Sequence, residues 1–123
     1  MMRTEPQPGG WRLRPMLAFG LSLAHYPAFA TCPSLPDLRT RFTAELPDYH
    51  HWGIHVMACQ NGRGEVIIGD LHEYGLNPSP FDLPEIDALI LGYLQNALHL
   101  PSYHMAQRWH GVYARHPAKA FPG

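Results

Sequence analysis

Residues 54–60 and 65–71 are two apolar, strand-length runs separated by Asn61-Gly62-Arg63-Gly64. Glycines supply the positive φ that a tight chain reversal needs, so this segment predicts an antiparallel hairpin. The hairpin constrains the chain more than any other feature, because the remaining elements must be arranged around a sheet.

Those elements follow from periodicity and punctuation. Residues 1–4 read as a short strand, 7–10 as a Pro/Gly turn, and 11–13 as an extended piece. Residues 21–29 read as another strand, ended at Pro27. Ser34 with Asp37 three residues on predicts a helix start, and Leu35, Leu38, Phe42 and Leu46 follow at spacings of three and four. Pro47 closes that helix or bends its continuation toward Trp52. Asp82 and Glu85 have capping-box spacing, ahead of a stripe of Ile86, Leu89, Ile90, Tyr93, Leu94 and Ala97 that stops before Pro101. Residues 107–115 predict a last strand. The expected fold class is α+β: a mainly antiparallel mixed sheet covered on one face by two helices. Residues 1–116 form the expected domain and 117–123 a frayed tail.

Composition bounds the function. With 46% hydrophobic and 15% charged residues, the chain is a folded domain and not a disordered one. A net charge of −1 gives no electrostatic case for a nucleic-acid or anionic-membrane partner. No run approaches the roughly 20 apolar residues of a membrane span. Cys32 and Cys59 make no disulfide framework, and reduced thiols in a cytoplasmic protein are expected. The N-terminus competes with that reading. Arg3, Arg12 and Arg14 precede the apolar run 16–24, and Ala28-Phe29-Ala30 has the form of a cleavage site. Glu5, the early prolines and His25-Tyr26-Pro27 argue against export.

Several chemistries can be weighed directly. His50, His51, His55 and Cys59 fall within ten residues, and His51 and His55 have i, i+4 spacing, but Gly53 separates them. A zinc site would need His55 and Cys59 from one strand face plus His72 or Glu73 across the hairpin; the alternative is a set of surface and half-buried histidines. No Gly-x-Ser-x-Gly elbow surrounds a serine, and neither cysteine has a catalytic-thiol motif. The Gly-x-Gly of Asn61-Gly62-Arg63-Gly64 joins two strands, whereas a dinucleotide cradle leads from a strand into a helix. His72-Glu73-Tyr74 remains, at a strand end, as either a surface cap or a functional cluster.

Three segments carry a family resemblance. Gly69-Asp70-Leu71-His72-Glu73-Tyr74-Gly75 resembles the segment that follows the hairpin in glycine oxidase and D-amino-acid oxidase-like flavoproteins. Trp109-His110-Gly111-Val112-Tyr113 resembles their Trp-Ala-Gly-Leu-Arg segment, and Met2-Arg3-Thr4-Glu5-Pro6 is similar to the strand that enters their substrate domain. Met57-Ala58-Cys59-Gln60-Asn61-Gly62, leading into His72-Glu73-Tyr74-Gly75, is most similar to a bacterial subgroup associated with phosphonate metabolism. The resemblance implies the substrate domain of an FAD enzyme that takes hydride from the carbon beside an amine. In such an enzyme the cofactor carries the redox chemistry and the protein aligns the substrate. By position, His72, Glu73, Tyr74, Trp109, His110 and Tyr113 are the implied pocket residues.

The departures narrow the expectation. Tyr113 stands where the family has an arginine that pairs with the substrate carboxylate, and a phenol cannot replace that bidentate fork. Arg115 would face the same side two residues on if the strand kept alternating. A small amine with another anionic group, such as an aminophosphonate, is the expected substrate class. The glycine-rich segments that hold FAD lack counterparts here, so this chain is expected neither to bind FAD tightly nor to turn over alone. From the residues without the resemblance, the competing reading is a small binding module, metal-stabilised through His55, Cys59 and His72.

Overall fold

The computed structural model describes residues 1–19, 21–73, 75–77 and 79–113. Five strands form one open sheet: β1 (Met2–Pro6), β2 (Leu17–Ala18), β3 (Met57–Gln60), β4 (Glu65–Gly69) and β5 (Met105–Arg108). Their spatial order is β2-β3-β4-β1-β5, and every neighbouring pair is antiparallel. Four helices accompany them: α1 (Leu21–His25), α2 (Leu35–Glu45), α3 (Pro47–His51) and α4 (Pro84–Ala97). The α+β class is as expected; the sheet, expected to be mixed, is antiparallel throughout.

The hairpin forms as its sequence predicts, with Met57 opposite Gly69 and Gln60 opposite Val66. Its turn is tied down from several sides. The Asn61 side chain accepts from the backbone N–H of Arg63 (2.9 Å) and of Glu65 (3.2 Å). The Glu65 carboxylate accepts from the Asn61 amide at 2.7 Å and from Arg63 and Arg3 at 3.1 and 3.3 Å. Those contacts, the Asn61 hydrogen bond foremost, hold the Glu65 carboxyl below its ordinary pKa. Gly64 has φ +82°, and a Cβ built there would meet nothing closer than 3.6 Å. Gly64→Ala should therefore cost about 1 kcal/mol from backbone strain alone, read as a lower urea midpoint with an unchanged slope. A loss above about 3 kcal/mol would mean the turn has been misjudged.

Side chains alternate across the sheet. Met2, Thr4, Val56, Ala58, Val66 and Ile68 are buried on one face, beneath Ile86, Ile90 and Leu94 of α4. Tyr49 of α3 leans on that helix, its hydroxyl donating to the Leu89 carbonyl at 2.9 Å. The opposite face carries Arg3, Met57, Cys59 and Ile67, all half-buried.

Four expectations require correction. Residues 21–29 are not a strand but α1 followed by a 3-10 turn over Pro27–Phe29. The alternating leucines there imitate strand spacing, yet Leu21 is buried, Leu23 is exposed, and the Tyr26 N–H reaches back to the Ser22 carbonyl. Two helices become four among the described residues, and α2 packs against α1 and α3. Ser34 and Asp82 make no capping hydrogen bond: Ser34 has helical dihedrals, and Leu83 occupies the cap position of α4. The last strand spans Met105–Arg108, so Trp109 to Tyr113 lies beyond it and exposed. The expected boundary at residue 116 and the tail 117–123 lie outside the described residues.

Candidate functional site

The site develops at the open end of the β3–β4 hairpin. Beyond Met57 and Gly69 the ladder continues through His55 and Asp70, which exchange backbone hydrogen bonds of 3.0 and 3.1 Å. By alternation, His55 points to the same side as Met57 and Cys59, away from the α4 core. α1 covers it there. The helix ends at His25, whose ring stacks on His55 with centroids 3.9 Å apart and planes 20° from parallel. His72, two residues past Asp70, completes the stack at 4.8 Å from His25 and 5.1 Å from His55. Tyr26 sets its ring edge-on to both His25 and His55, at 5.1 and 5.3 Å.

His55 is the unusual member. It is 1% exposed, and neither ring nitrogen has a hydrogen-bond partner among the described residues. Burial foremost, then the neighbouring His25, pushes its pKa down to about 4, with Asp70 opposing the shift and His72 adding to it. The imidazole is therefore neutral at physiological pH and keeps a lone pair. His72 lies between two polar groups: its Nε2 is 3.4 Å from Asp70 Oδ2, and its Nδ1 is 3.4 Å from the Tyr113 hydroxyl.

Of the pocket residues implied by the sequence, His72 and Tyr113 come together here. Glu73 is exposed, and His110 is drawn to Asp82 instead, with Nδ1 2.8 Å from Oδ1. Trp109 is partly exposed, and its backbone N–H donates to the Met1 carbonyl at 3.1 Å. Tyr74 and Arg115 lie outside the described residues.

Of the metal-ligand candidates, His55 and His72 meet, whereas Cys59 lines a shallow apolar cleft with Met1, Met16, Met57 and Ile67. His50 and His51 stay exposed on α3, because Gly53 at φ +60° breaks the helix before His55. The sequence reading did not single out His25 as a ligand. No spacing rule links it to His55 or His72, and only the helical course of residues 21–25 delivers it to the sheet end. Comparison with protein-family models, with curated proteins and with solved structures gave no match.

Proposed function

We propose that this chain supplies the substrate-binding wall of an FAD-dependent oxidoreductase acting on a small amine, with an aminophosphonate as the substrate class. The observation that supports this reading is the 3.4 Å approach of the Tyr113 hydroxyl to His72 Nδ1. These residues belong to two of the three segments that carry the resemblance and are 41 positions apart in sequence. A phenol and an imidazole offer single-point hydrogen bonds. Such donors suit the separate oxygens of a tetrahedral phosphonate better than the planar pair of a carboxylate, which favours an arginine fork.

The flavin, when present, accepts hydride from the carbon beside the amine; this chain's part is to bind and orient that carbon. Gly62 and Gly64 lie in a hairpin turn, so they offer no strand-to-helix pyrophosphate cradle, and this chain is not expected to retain FAD by itself.

Two measurements test the reading. In a nitrogen–proton NMR titration, aminomethylphosphonate should shift the signals around His72 and Tyr113, and glycine should not. An equal response to glycine, or none to any amine, removes the substrate assignment. Sequencing the coding region around the chain in all frames should reveal a Gly-x-Gly-x-x-Gly strand–turn–helix upstream. Its absence on both sides would leave the flavin assignment without support.

A further inference from the structure

We propose that His25, His55 and His72 form a binding site for a divalent transition-metal ion of the Zn2+ type. The site shares His72 with the amine reading but does not rest on it, and it replaces Cys59 of the sequence-based ligand set with His25.

Two observations carry it. The first is convergence: one ring nitrogen from each of the three histidines lies within 4.8 Å of the other two. Nitrogen ligands at about 2.0–2.1 Å around a tetrahedral ion stand about 3.4 Å apart. No pair therefore has to close by more than about 1.4 Å, a displacement within reach of side-chain rotation. The second is the state of His55, fully buried with both nitrogens lacking partners among the described residues. A buried polar group left in that state keeps the cost of its lost hydration, which a metal–nitrogen bond offsets. Burial also favours the neutral ring, the form that ligates.

The surroundings fit a metal site as well. Asp70 Oδ2 stands 3.4 Å from His72 Nε2, placed to accept its N–H. Carboxylates commonly orient metal-bound imidazoles in this way. Parallel stacked planes share no common point, so loading the ion must turn the rings out of the stack toward a centre. Three imidazoles leave a fourth position for water or for an anionic oxygen of a bound small molecule.

The test uses the whole chain with Co2+ as the coloured substitute for Zn2+. One equivalent should bind with the visible absorption of a four-coordinate ion, be displaced by Zn2+, and shift imidazole proton signals assigned to His25, His55 and His72. His25→Ala and His72→Ala should each weaken binding by about tenfold or more, whereas His50→Ala and His99→Ala, both at exposed positions, should leave it unchanged. If His55→Ala fails to fold, the proton shifts in the unsubstituted chain still report on His55. The proposal is overturned by the absence of binding at millimolar Co2+. It is equally overturned by binding that survives His25→Ala and His72→Ala but is lost with His50→Ala. Because no amine is present, the result bears on the metal site alone.

Discussion

Leu94→Ala should destabilise the fold by about 3 kcal/mol and lower its melting temperature by about 10–15 °C. Leu94 is fully buried on α4, packed with Ile86 and Ile90 over the sheet face that carries Val56, Val66 and Ile68. Truncation removes transfer free energy and leaves a cavity that the surrounding strands, hydrogen-bonded on both sides, can close only in part. Domains of this size have net stabilities of about 5–15 kcal/mol, so the loss is a substantial fraction of the total. Leu76 provides the matched control, since it is 100% exposed. Leu76→Ala should change stability by less than about 0.5 kcal/mol. Urea unfolding of the two variants decides the matter: equal losses would mean that α4 does not seal the core.

The same packing shows which parts of the fold could be read in advance. The hairpin was legible because both strands are apolar runs of strand length and the turn holds Gly64 where the backbone takes φ +82°. α4 was legible through its stripe, of which Ile86, Ile90 and Leu94 are buried, although Ala97 at its end is exposed. Residues 21–29 were not, because five residues are too few to separate period two from period 3.6. The deciding factor is tertiary: among the described residues no strand pairs with Leu21 to His25, and the helix packs at the sheet end instead.

Caps were misread for a related reason. Ser34 and Asp82 are residues that favour helix starts, but the local backbone placed Leu83 at the second cap, and Asp82 went to His110. Within the site, His55 was legible as a strand-face residue with His72 or Glu73 across the hairpin, since strand alternation is a local rule, but that rule did not choose between the two. His25 depends on how α1 packs, which no local rule fixes. The approach of Tyr113 to His72 likewise depends on where the chain runs after β5. The resemblance grouped these two residues, and periodicity gave no such hint.

Acid should destabilise the metal-free protein through His55 by roughly 3 kcal/mol between pH 6.5 and pH 4. The sign follows from which state holds the proton. In the unfolded chain this imidazole takes up a proton near its ordinary value of 6.5, whereas in the folded protein it resists until about 4. Between about pH 6.5 and pH 4 the unfolded state therefore binds up to one more proton, and stability falls by up to about 1.4 kcal/mol per pH unit as the pH drops. The His55 contribution is constant above that window and again below it. After burial, His25 and His72 press the pKa down, and Asp70 lifts it without overcoming burial. His55→Gln removes the titrating group while keeping a polar side chain. Its urea stability should decline less steeply than that of the unsubstituted chain from pH 6.5 to pH 4, so that the gap between them shifts by about 3 kcal/mol in the variant's favour. Parallel curves would show that His55 is protonated in the folded state at the same pH as in the unfolded one. A proton NMR titration gives the same answer without a variant, because the His55 ring signals should stay in their neutral position until the pH approaches 4.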